Sequence, residues 1–352
     1  MTQPFNILMS SAGHRVERVK ILRATLAALG LDGRIVATDI SRLSAAMQAA
    51  DVGEIAPRCT SPQFTAALLD VCRRHRVRLV VPGIDTELAV LAAAREQFAA
   101  EGITVLISSP ETIAIGADKH QTHRWLVERG FPTVRQATAG EVCDNASAWP
   151  FPLIAKPVGG SASQGVAVVS SVDELRSHTR GGDFVVQSIA RGAEYTVDVL
   201  VDRAGKCVCA IPRRRIEVRA GEVFKGATHR RHELIDVASR IAEALPGAYG
   251  PLNVQMFFDE AEGAIRVIEI NPRFGGGFPL SWEAGGKFPQ WIIEEMLGLP
   301  STASGEAWRD GLLMLRHFDA VFVDAKSTDE ASESASHGAT AGSRSDGGGS
   351  RS

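Results

Sequence analysis

Lys156 closes an apolar run, PLIAKP, and the glycine-rich stretch GGSASQG follows almost at once. A fixed cation beside backbone that folds tightly suits a polyphosphate. Glycines through Gly165 let several N–H groups converge on an anion, and the hydroxyls of Ser161 and Ser163 add donors. A surface turn with a snorkelling lysine reads the same way from this segment alone. The second chemical signal is Glu269-Ile270-Asn271-Pro272-Arg273. Residues two apart on a strand share a face, so Glu269 and Asn271 point together. Gln255 falls on the partner arm of a short hairpin, beside Glu269. Three oxygen donors on adjacent strands suit Mg²⁺, which completes its shell with phosphate oxygens and water. Pro272 stops the strand, and Arg273 projects to where a reacting phosphate would lie. The structural alternative is a strand end with an Asx turn and a surface arginine.

Other residues carry weaker signals. Arg213 and Arg215 share a face of the strand in IPRRRIEVRAGEVF and form either a bidentate clamp for a carboxylate or a solvated strand surface. Lys225 and His229 follow in a loop within reach of a phosphate. Asp85 and Glu87 lie past a strand end, facing substrate entry or complementing a helix dipole. His14 reads as structural. The five cysteines are odd in number, and Cys207 and Cys209 lack a second pair at zinc spacing, so reduced core thiols are expected.

The elements that must hold these groups follow from periodicity. FNILMS (5–10), RIVATD, RLVVPG and TVLISS read as strands, separated by helices at 15–29, 63–75 and 86–99. Alternation of this kind predicts an open parallel α/β unit. Its first turn, SSAGHR, has one glycine where a dinucleotide fingerprint needs three, which argues against NAD. Beyond residue 113 the pattern predicts a short helix carrying Asp118 and Lys119, a strand pair around the glycine-rich turn, a strand–link–strand in FVVQSIARGAEYTVDVLVD, a hairpin in LNVQMFFDEAEGAIRVIEINPR, and a helix at 288–297 capped by Gly298. No internal repeat is evident. From Ala325 the chain is Ser, Gly, Ala, Thr and charge, a composition expected to stay disordered.

The chain has 352 residues, enough for two or three domains. It is 45% hydrophobic and 22% charged, with formal net charge −3. No basic patch with interleaved aromatics points to nucleic acid. The start lacks signal-peptide character, and no apolar run reaches the roughly 20 residues of a membrane helix. A cytoplasmic protein is expected.

Lys119, Lys156 with its loop, Gln187 with Glu194, and Gln255/Glu269/Asn271/Arg273 occur in an order and near spacings that resemble the ATP-grasp superfamily, in particular its carbamoyl-phosphate-synthase-like carboxylate–amine ligases. The likeness covers roughly residues 5–300 and includes the segment VPGIDTELAVLA. It implies an α/β and α+β fold: a pre-ATP-grasp α/β domain (1–115), a small lobe with the phosphate loop (116–190), a large lobe with the metal site (191–324) and a tail (325–352). It implies that Lys119 and Lys156 hold ATP phosphates, that the backbone of 185–189, ending at Ile189, reads adenine, and that Glu194 binds ribose. Gln255, Glu269 and Asn271 would ligate Mg²⁺ or Mn²⁺, and Arg273 would steady the transferred phosphoryl group. Gln187 stands where many relatives are acidic, and Gln255 where they carry aspartate or glutamate. The second change leaves Glu269 as the sole carboxylate of the trio. The implied partners are a small carboxylate and an amine or ammonia, and a homodimer is compatible with the reading. A phosphotransferase on the same fold and a catalytically silent nucleotide-binding protein are the rival functions.

Overall fold

The computed structural model describes residues 4–159 and 164–325. Ser161, Ser163 and the proposed tail beyond Ala325 lie outside the described residues.

The N-terminal sheet has order β3-β2-β1-β4-β5 and is parallel throughout. Its strands are β1 (Asn6–Met9), β2 (Ile35–Asp39), β3 (Val52–Ile55), β4 (Val77–Val81) and β5 (Thr104–Val105). Ile7, Leu8 and Met9 are fully buried because helices cover both faces, as a parallel sheet requires. Sequence periodicity missed β3. This edge strand, VGEI, is half exposed and has only two apolar side chains, so it carries no continuous run. TVLISS contributes only two strand residues before the chain turns away. The helix expected from residue 86 begins as a tight 3₁₀ turn, Asp85–Glu87, and becomes α-helical at Leu88.

Asp118 does not continue a helix. Its backbone is extended, and its carboxylate accepts from the N–H groups of His120 (2.7 Å) and Gln121 (3.0 Å), capping the helix Lys119–Glu128. A small antiparallel sheet follows, with order β6-β9-β7-β8: β6 (Gln136–Thr138), β7 (Leu153–Pro157), β8 (Ala167–Val169) and β9 (Phe184–Ser188). Val142, Trp149, Leu153, Leu175 and Val186 form a core of its own.

The six-stranded sheet has order β14-β13-β10-β11-β12-β15: β10 (Ala193–Val201), β11 (Cys207–Arg219), β12 (Glu222–Thr228), β13 (Gly250–Asp259), β14 (Ala264–Asn271) and β15 (Leu313–Leu315). One face receives the amphipathic helix His232–Ala244, whose Leu234, Ala238 and Ile241 are fully buried against Val197, Val199 and Val254. Burying a leucine or isoleucine side chain of this kind is worth about 1.5–3 kcal/mol. The helix Phe288–Leu297 ends at Gly298 in the left-handed region (φ 65°), where glycine carries no Cβ penalty. This helix and Phe278–Ala284 pack against α1 (Val16–Ala28), so Leu22 and Leu26 share a core with Phe278, Trp282, Phe288 and Trp291. That packing holds the N-terminal end of α1 over the loop that follows β14.

Candidate functional site

A cavity of about 330 Å³ opens between the three sheets. Cross-strand register sets its floor. Gln255 of β13 stands directly opposite Glu269 of β14, and Asn253 stands opposite Asn271. The side-by-side placement expected for Gln255 and Glu269 is therefore present, and both line the cavity with Asn271. Asn253 was not anticipated. It is buried, donates from Nδ2 to the Arg273 carbonyl (3.1 Å), and accepts at Oδ1 from Asn271 Nδ2 (3.3 Å). With its amide nitrogen engaged there, Asn271 offers its oxygen to a cation. One carboxylate and two amide oxygens make a hard, all-oxygen donor set that fits Mg²⁺ or Mn²⁺. Among the described residues no cluster of three His, Cys, Asp or Glu exists to hold a softer ion.

Lys119 and Lys156 line the same cavity. Lys156 sits on β7. Burial pulls its ammonium below the ordinary lysine range, Glu269 opposes that shift, and Lys119 adds to it. Such a pair lowers its own free energy by taking a polyanion between its members. Lys119 Nζ also donates to the Val158 carbonyl at 3.3 Å, which ties the helix Lys119–Glu128 to the base of the glycine-rich turn. Gly159, Gln164 and Val166, on either side of that turn, line the cavity, whereas Gly165 (φ 70°) packs beside Pro157 and accepts from His178 through its carbonyl.

Glu194 and Arg215 both face the cavity and pair with each other at 3.0 Å. Arg213, expected as half of a substrate clamp, borders the cavity but is anchored in the core. It is 1% exposed, and its Nε and Nη2 bind Asp198 at 2.6 and 3.0 Å, with Ser281 donating to the same carboxylate. An arginine without such a partner could not remain in a core, which is why strand position alone was a poor guide. Lys225 is a clearer correction. It lies on β12 rather than in a loop, pairs with Glu217 at 2.7 Å on the outer sheet surface and does not line the cavity. His229 hydrogen-bonds Tyr195 at 2.8 Å. Gln187 is buried in β9 and donates to Gln136, while Ile189 lies just past the strand with its side chain exposed.

Arg273 lines the cavity, but its guanidinium is held in a bidentate pair with Asp85, at 2.5 and 2.6 Å, reaching from the N-terminal sheet. Burial works against the Arg273 charge, yet Asp85 overrides it and lifts the proton affinity above the ordinary arginine value. Glu87, expected at substrate entry or at a dipole, is fully buried. It accepts from the Ser11 hydroxyl and the N–H groups of Gly83 and Ile84. His14, expected to be structural, is mostly exposed and approaches Glu222 at 3.5 Å.

A parallel α/β domain joined to two antiparallel sheets around a cavity of lysines and oxygen donors is the architecture of an ATP-grasp fold. A sequence profile of the PylC-like N-terminal domain matches residues 7–106, and one for the ATP-grasp of the biosynthetic pathway with Ter operon matches residues 181–316. The formate-dependent phosphoribosylglycinamide formyltransferase of Synechococcus sp. (strain RCC307) is 28% identical over 289 residues, 77% of this chain and 70% of that protein. The N-terminal section of the carbamoyl phosphate synthase large chain of Methanopyrus kandleri is 24% identical over 204 residues, 52% of this chain and 36% of that one. Biotin carboxylase of Campylobacter jejuni, solved with a β,γ-ATP compound, superposes with a TM-score of 0.71 at 17% identity, covering 88% of this chain and 74% of that structure. In both its profile matches and its relatives the chain is similar to the ATP-grasp superfamily, and within it to carbamoyl-phosphate-synthase-like carboxylate–amine ligases. Among the described residues no helix is long and apolar enough to cross a membrane.

Proposed function

We propose that the protein is an ADP-forming ligase that activates a small carboxylic acid as its acyl phosphate and joins it to an amine or ammonia. The observation that carries this reading is the convergence of Lys119, Lys156, Gln255, Glu269, Asn271 and Arg273 on one cavity. In the first step a carboxylate oxygen of the acid attacks the γ-phosphorus of ATP. The bond to the β,γ-bridging oxygen breaks and ADP leaves. In the second step the amine nitrogen attacks the acyl carbon, loses a proton, and phosphate departs.

Lys119 and Lys156 hold the phosphates, and the backbone of 185–189 and Glu194 receive adenine and ribose. Gln255, Glu269 and Asn271 hold a divalent ion, Mg²⁺ or Mn²⁺, which when bound supplies charge compensation to the phosphates. Arg273 steadies the phosphoryl group in transfer, and Arg215 is the arginine left for substrate. The relatives named above support a ligase over a phosphotransferase or a silent binder. A cytoplasmic location, a homodimer and the partition at residues 115, 190 and 324 belong to the same reading. The test is ADP release with Mg-ATP over a matrix of carboxylic acids and amines. Release that requires both partners is expected; release with an acid alone, leaving a stable phosphorylated acid, would make the protein a kinase.

A further inference from the structure

Beside the main cavity lies a smaller one of about 80 Å³, bordered by α1, Pro279 and Arg316. The two share Arg15, Glu222, Gly275 and Gly276 in their walls, so one ligand can reach into both. Among the described residues, ion pairing around this side cavity leaves two guanidiniums without a contacting carboxylate. Arg316 at 3.1 Å and His14 at 3.5 Å serve Glu222, Arg273 holds Asp85, Ser11 with two backbone N–H groups holds Glu87, and Glu17, also on the cavity wall, pairs with neither arginine. The two guanidiniums are those of Arg15, just before α1, and Arg18, in its first turn. Arg18 is 7% exposed; its Nη2 donates to the carbonyls of Phe274 (3.2 Å) and Gly275 (3.5 Å), and its buried Nη1 has no hydrogen-bond partner. Arg15 stands one turn away, and among the described residues neither arginine is ion-paired. A buried, unpaired guanidinium is costly unless an anion joins it.

We propose that this side cavity is an anion subsite, and that a substrate of the reaction carries, besides its reacting group, a second negative group (a carboxylate or a phosphate) that seats between Arg15 and Arg18. Arginine presents paired donors to either group, and the first turn of α1 adds the positive end of a helix dipole. The strain of holding these cations together without an anion is visible in Arg18. Burial, then Arg15, then Arg273 bring it down to about 9. Burial, then Arg273, lower Arg15 as well. The inference rests on the ligase reading for the word substrate, but not for the site.

Binding is read by calorimetry and thermal shift in the presence of Mg-ADP, comparing succinate and phosphoglycolate with acetate and glycolate. The dianions are expected to bind and the monoanions to bind at least about tenfold more weakly, with the stronger dianion telling carboxylate from phosphate. Arg15→Gln and Arg18→Met should each weaken dianion binding about tenfold or more and leave Mg-ADP affinity unchanged, and Arg18→Lys should keep part of it. Arg15 is partly exposed and makes no ion pair, so its variant is expected to fold even if Arg18→Met does not. Equal binding of monoanions and dianions, no binding of any probe, or an Arg15→Gln protein that binds dianions normally overturns the subsite. Dianion binding sensitive to Arg15 with no ADP release under any acid–amine pair would keep the subsite and sink the ligase reading. Turnover with monoanionic acids, indifferent to Arg15→Gln, would do the reverse.

Discussion

At the scale of single residues, the cavity separates charges that can act from charges that only hold the fold. Glu269 is the one carboxylate of the proposed ion site, opposite Gln255. Glu269→Gln is expected to cut ADP release by about 100-fold or more, the scale seen when a preorganised charge-stabilising group is removed, with an unchanged melting curve. Near-normal release by a folded variant would remove the metal assignment. Asp198 is the contrasting case. Its loss would strand Arg213, which is 1% exposed. Asp198→Ala should therefore destabilise the protein by about 3–5 kcal/mol, measured by denaturant unfolding. A loss under about 1 kcal/mol would mean that water takes over the pairing.

Among the elements, the β13–β14 hairpin does most to build the site, because its register brings two pairs of side chains to one face. The approach of β10 to β13 depends on Gly192. It sits at φ 94°, and a Cβ there would lie 2.1 Å from the Phe258 carbonyl oxygen. Gly192→Ala is expected to cost more than about 1 kcal/mol, since neither the backbone angle nor the carbonyl can yield without loosening the strand pair. The loosened strand carries Glu194 two residues on, so nucleotide affinity should fall with stability. A fully stable Gly192→Ala protein would show that the strand end adapts. The helix Lys119–Glu128 illustrates the same dependence of site on element: its Asp118 cap places Lys119 at the first helical position, from which its ammonium reaches the Val158 carbonyl.

Over the whole molecule, the contact that matters most is long in sequence: Arg273 with Asp85, 188 residues apart. It sets the proposed phosphoryl-holding arginine from the N-terminal domain, so under the proposed function that domain would orient a reacting group as well as support the scaffold. Asp85→Asn should lower kcat by about tenfold or more while the KM for ATP moves less, because the arginine loses its orientation rather than its charge. An unchanged kcat would show that Arg273 finds its place without Asp85. Much of this architecture was legible in the chain. β1, β2, β4, α1, the terminal hairpin and the Gly298 stop each follow from apolar periods and turn residues within a window of a few residues. The Gln255/Glu269/Asn271 face followed from the hairpin and the two-residue repeat of a strand. Local periods could not say which arginine is buried against Asp198, that Lys225 turns to Glu217, or that Arg15 and Arg18 border a cavity with Gly275. Those outcomes depend on which surfaces meet when α1 packs on the helices Phe278–Ala284 and Phe288–Leu297. A charged side chain's role is decided by the partner and the desolvation it meets there, and neither is written in its neighbours along the chain.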